Sequence, residues 1–299
     1  MAVLSLLACL AAVVLFDRAC LHATSASIAL RPEASRKLSA SPPAGSLTNL
    51  SAGACKALKP TGKSRNRVIF VDPGHGGLDP GVTGRSPTGT PLKESVVALA
   101  VANELSRQLR ADGYGVVLSR TADTSVLSFD PGDTARGSLT STQVRQDLQA
   151  RVRCANGSRA SVLVSIHFNG FQDPAVGGTL TIYDTARPFA ADNLRLAQSL
   201  QAALVSRLEL TDRGVLTDDT LLAPTLSERA GGYGHLLLRG PPEPGWLDQG
   251  TAMAGALVEP LFLTAPAEAG LAASPAGQRR IAAAIAAGLT SYLSGAPAH

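Results

Sequence analysis

The spacing of apolar residues changes several times along the chain, and each change marks an element. Residues 68–71 form a short apolar run halted by Asp72-Pro73-Gly74, which predicts a strand ending in a turn. Over residues 94–112, Val97, Val101, Leu105 and Leu109 recur every fourth position, which predicts a helix with one apolar face, with Gly113 at its C-terminus. Further strands are predicted at 116–119, 161–166, 179–183 and 256–258, and further helices at 144–156, 192–210 and 278–293. Strands alternating with helices predict an α/β fold: a single domain over residues 67–295, with a mostly parallel twisted sheet flanked by helices. Residues 121–142 and 217–246 keep no period and read as loops.

The first residues follow another pattern. Residues 2–16 are almost wholly apolar, about as long as the core of an export signal and short for a membrane span. Thr24, Ser25 and Ala26 are small enough to suit a signal peptidase. Residues 1–26 are therefore expected to be a signal peptide, and the protein to reach the periplasm, cell wall or extracellular space. No Lys or Arg precedes the apolar run, and the alternative is a short retained anchor. Residues 27–66, rich in Ser, Ala, Pro and Gly, read as an arm or linker.

Cysteine content sharpens the picture. Cys9 and Cys20 fall in the leader, and Asp17 stands where a lipoprotein signal would have Leu. Cys55 and Cys154 remain, and two cysteines in an exported chain predict one disulfide. A hydrophobic content of 45% is ample for a core, and aromatics at only 4% predict that it is aliphatic. Lys and Arg number 27 against 23 Asp and Glu, and no basic run stands out, so nothing in the charge points to nucleic acid. No membrane contact is expected once the leader is removed.

Five histidines are present, and His22 beside the leader's end and His299 at the terminus are poor candidates for chemistry. His75 lies in Asp72-Pro73-Gly74-His75-Gly76-Gly77 directly after a strand, where open α/β sheets bind ligands. His167 ends another strand, before Phe168-Asn169-Gly170. Glu94 opens a helix, and the helix dipole alone would account for it. Glu259 interrupts an apolar segment, Ala256-Leu257-Val258-Glu259-Pro260-Leu261-Phe262, where a carboxyl of raised pKa could act as general acid and base. Two histidines and a carboxylate are a common catalytic zinc shell, and a second carboxylate can take a water's proton.

These segments, in this order, resemble the zinc-dependent N-acetylmuramoyl-L-alanine amidases known as amidase type 3. The resemblance rests on residues 68–77 with Asp79-Pro80-Gly81, then Lys93-Glu94-Ser95, Ser119-Arg120-Thr121-Ala122-Asp123, Arg151 with Ala155-Asn156, Ser165-Ile166-His167-Phe168-Asn169-Gly170, and Val258-Glu259-Pro260-Leu261-Phe262-Leu263. It implies Zn2+ held by His75, Glu94 and His167, a catalytic Glu259, and hydrolysis of the bond joining N-acetylmuramic acid to L-alanine in peptidoglycan or its fragments. Phe168 and Pro260 stand where the family usually has small residues, close enough to the expected site to reshape access. His235 is expected to be a loop residue, and either long loop could cover the site, as an inserted helix does in some relatives. Two rival readings are a zinc hydrolase that cuts within the peptide stem and a wall-binding protein without catalysis.

Overall fold

The structure, a computed structural model, describes residues 49–130, 132, 134, 137–218, 240–242 and 248–295. The expected leader, the first part of the arm, His22, His235, His299 and most of the loop at 217–246 lie outside the described residues.

The elements in chain order are β1 (Lys56–Leu58), β2 (Val68–Pro73), β3 (Thr83–Arg85), β4 (Pro91–Lys93), α1 (Glu94–Ala111), β5 (Gly115–Leu118), α2 (Ser141–Ser158), β6 (Val162–Ile166), β7 (Thr179–Tyr183), α3 (Ala190–Leu208), β8 (Asp212–Thr217), β9 (Ala254–Glu259), α4 (Pro266–Ala273) and α5 (Pro275–Ser294). Seven strands form one sheet in the order β1-β5-β2-β6-β9-β7-β8, and β3 with β4 forms a separate ribbon. Pairings β5-β2, β2-β6, β6-β9 and β7-β8 are parallel, while β1-β5 and β7-β9 are antiparallel. The sheet is thus mostly parallel, as the alternation of elements predicts.

Strand alternation sends successive side chains to opposite faces. Ile69 and Val71 of β2, with Val164 of β6 and Val258 of β9, join α1, α3 and α5 in the larger core. Phe70, Val117 and Leu163 point the other way, onto Ala150, Cys154 and Ala155 of α2. The predicted stripe on α1 is buried along its length, with Val97 at 3% exposure and Val101, Leu105 and Leu109 at 0%.

Residues 49–66 depart from the expected loose arm. Lys56–Leu58 extends the sheet beside β5, Ser51 N donates to the Val126 carbonyl, and Leu50 bridges Leu127. A disulfide joins Cys55 to Cys154, with Cα atoms 5.4 Å apart, and fastens this segment to α2. The start of the loop at 121–142 packs on the same segment: Val126 is fully buried, and Leu127 N donates to Asp147 of α2. Helix α2 begins earlier than its apolar period, because Thr140 and Gln143 form a reciprocal capping box at its N-terminus. Among the described residues, no helix is long and apolar enough to cross a membrane.

Candidate metal centre

Three neighbouring parallel strands, β2, β6 and β9, finish at the same end of the sheet, the carboxyl end at which open α/β sheets bind ligands. His75 follows β2, His167 follows β6, and Glu259 is the last residue of β9. Glu94 enters from the side as the first residue of α1. Its N–H donates to the Val82 carbonyl and that of Ser95 to the Pro80 carbonyl, so backbone partners satisfy this helix end. The Glu94 side chain is directed at the histidines instead of serving only as a dipole partner.

His75 Nε2, His167 Nδ1 and Glu94 Oε1 form a triangle with edges of 3.0, 3.1 and 3.2 Å. Two ligand atoms about 2.0 Å from one zinc ion at a tetrahedral angle lie roughly 3.3 Å apart, so this donor set fits a single metal ion. Hydrogen bonds from outside the triad aim His75 and Glu94. Asp79 Oδ2 lies 2.8 Å from His75 Nδ1, which leaves Nε2 facing inward. Glu94 Oε2 accepts from Val82 N at 2.7 Å, and Oε1 also accepts from Phe168 N at 3.0 Å. The ring of His167 stands edge-on to that of His75, at an interplanar angle of 76°.

Glycine makes room at two places. A Cβ on Gly74 would come within 2.3 Å of the His167 ring, and one on Gly81, at φ +65°, within 2.5 Å of Glu94 Oε2. The glycine before His75 is therefore required by the second histidine, a relationship invisible along the chain.

The charges oppose one another. Burial disfavours a charge on His75, but the Glu94 carboxylate, helped by hydrogen bonds to Asp79 and Glu94, outweighs it and lifts the imidazole to about 10. Burial would raise Glu94, yet the His75 charge and hydrogen bonds from both imidazoles hold its carboxyl well below the usual range. Burial, assisted by the His75 charge, pushes His167 down. Burial and the negative charge of Glu94 push Glu259 up to about 8. The Glu259 Oε2 atom is sealed from solvent and has no hydrogen-bond partner among the described residues. Nearby, Glu268 of α4 accepts from Phe262 N at 2.8 Å and from Gly178 N at 2.6 Å, tying the turn after β9 to the residue that precedes β7.

A family model for N-acetylmuramoyl-L-alanine amidase (amidase type 3) matches residues 69–291. The chain belongs to this family. It is 32% identical over 255 residues to the N-acetylmuramoyl-L-alanine amidase AmiC of Neisseria meningitidis serogroup B, covering 77% of this chain and 53% of that protein. It is 30% identical over 262 residues to AmiA of Escherichia coli, covering 79% and 78%. The chain thus spans about half the length of the first relative and most of the second. Among solved structures, the CwlD amidase of Clostridioides difficile, in complex with the GerS lipoprotein, superposes with a TM-score of 0.60 at 26% identity, covering 77% of this chain and all of that one.

All four residues expected from the sequence meet in one place. Phe168 is 1% exposed and packs in the larger core, and Pro260 is buried. From the sequence, Asp79 figures only as part of a motif, without a role, and Glu268 goes unnoted. The first carries a signal in hindsight, a carboxylate four residues after the histidine; the second carries none.

Proposed function

We propose that this chain hydrolyses the amide between the lactyl group of N-acetylmuramic acid and L-alanine in peptidoglycan or its fragments, using zinc held by His75, Glu94 and His167, after export and loss of residues 1–26. The observation that carries this reading is the convergence of the three ligand atoms near a buried carboxyl with one oxygen unpaired among the described residues. Membership of the amidase family supports the choice of bond and metal.

Zinc at this position supplies Lewis acidity toward a water and toward the amide carbonyl. The protein's own groups do the rest. Asp79 fixes the His75 ring with Nε2 inward, and Val82 N holds Glu94 so that Oε1 faces the histidines. Glu259 accepts a proton from the attacking water and returns it to the departing L-alanine nitrogen. Leu78 and Phe171, exposed at 39% and 56%, stand in the loops that carry His75 and His167 and offer apolar contact to substrate.

Mass spectrometry of purified peptidoglycan after digestion tests the bond. Stem peptides released with a free L-alanine N-terminus are expected. Cuts between stem residues would replace the reading with a peptidase, and wall binding without new amines would replace it with a binding protein.

A further inference from the structure

Beneath the His75 loop two arginines are buried, Arg120 at 0% exposure and Arg151 at 2%. Arg151 donates from Nε to Asp147 Oδ2 at 2.8 Å, from Nη1 to Asp72 Oδ1 and the Pro73 carbonyl, both at 2.8 Å, and from Nη2 to the His75 carbonyl at 2.7 Å. Arg120 donates to the carbonyls of Pro73 at 3.0 Å, Gly74 at 2.8 Å, Ala122 at 2.9 Å and Ser95 at 2.7 Å. Three successive carbonyls, Pro73, Gly74 and His75, are thus capped by two guanidinium groups.

The same network touches the backbone beside the other two ligands. Ser95 follows Glu94 directly. Asp72 Oδ2 accepts from Ser165 Oγ at 2.8 Å, two residues before His167. His75 itself has φ +58°, a left-handed conformation that a residue with a Cβ adopts at a cost and keeps only where its surroundings hold it. Charge balance alone does not explain the arrangement, because every hydrogen bond from Arg120 goes to a carbonyl oxygen rather than to a carboxylate.

We propose that Arg120 and Arg151 are positioning residues of the metal site, holding His75 in its left-handed conformation and, through Ser95 and the Asp72–Ser165 bond, setting the spacing of all three ligands. This rests on the zinc reading above. The planar fork matters as well as the charge: a lysine at 151 could pair with Asp72 or Asp147 but could not also span to the carbonyls of Pro73 and His75.

The test is zinc affinity, measured by chelator competition on folded wild type, Arg151→Lys and Ser165→Ala, together with the visible absorption of their cobalt forms. Arg151→Lys is expected to weaken zinc binding by about 10- to 100-fold and to alter the cobalt bands, although its far-ultraviolet circular dichroism matches wild type. Ser165→Ala, which leaves every charge in place, should show a smaller loss in the same direction, and it decides the question if Arg151→Lys does not fold. Wild-type affinity and cobalt bands in the folded variants would overturn the positioning role, however much their melting temperatures fall. A wild type that binds no zinc would instead overturn the metal reading, and this inference with it.

Discussion

His167 and Glu259 leave adjacent parallel strands at the same level: Ile166 pairs with Val258, and His167 N donates to the Val258 carbonyl at 2.9 Å. The His167 ring and the Glu259 carboxyl, the proposed metal ligand and proton carrier, therefore leave strands one spacing apart, about 4.8 Å between backbones. Regular sheet geometry, rather than a flexible loop, fixes that separation.

Burial and the Glu94 charge push Glu259 up to about 8, so the folded protein retains a proton that the unfolded chain releases near 4.5. The stability from this group is complete at low pH and is lost as pH rises through that window. Glu259→Gln imitates the protonated form. In denaturant unfolding of chelator-treated protein, the variant should gain on wild type by roughly 1 kcal/mol per pH unit between about pH 5 and pH 8. Parallel pH profiles would show that Glu259 titrates normally.

Metal binding should release protons. At neutral pH the His75 ring, lifted to about 10, carries a proton that an incoming ion must displace. Zinc titration calorimetry in two buffers of different ionisation enthalpy should report release of about one proton or more per ion near pH 7. Affinity should rise with pH until His75 is neutral. Zero release would contradict the field of Glu94 acting on this ring.

Asp79 faces the outer nitrogen of His75 at 2.8 Å. Asp79→Asn should weaken zinc binding by about tenfold or more, read as activity lost on dialysis against graded chelator. Retention equal to wild type would show that the ring needs no such support.

The sequence made the centre of the fold legible and its margins less so. Val97, Val101, Leu105 and Leu109 announce α1 because one face of it meets the sheet. Strand β1 reads as linker because Lys56 and Ala57 are exposed at a sheet edge, and β8 goes unassigned because Asp212 and Arg213 are exposed and Gly214 breaks its pattern. Helix α4, only eight residues long, is not predicted from the sequence, although Pro266 is at home in its first turn. The ligands were legible through motif order, whereas Arg151 and Asp72, 79 residues apart, meet only in three dimensions.

The disulfide also makes a quantitative expectation. Cys55 and Cys154 are separated by 99 residues, and closing a loop of that length constrains the unfolded chain by about 4–5 kcal/mol. The double variant Cys55→Ser with Cys154→Ser should lose stability of that order in urea unfolding. A loss under about 1 kcal/mol would mean that the segment at 49–66 is held by its sheet and backbone contacts alone.

The most direct test of the whole account is turnover of purified peptidoglycan by Glu259→Gln, with zinc content measured on the same sample. The account predicts about one zinc per chain, as in wild type, and a rate lower by about 10²- to 10⁴-fold. A zinc-loaded variant that cleaves at the wild-type rate would contradict the role of Glu259 and the chemistry built on it.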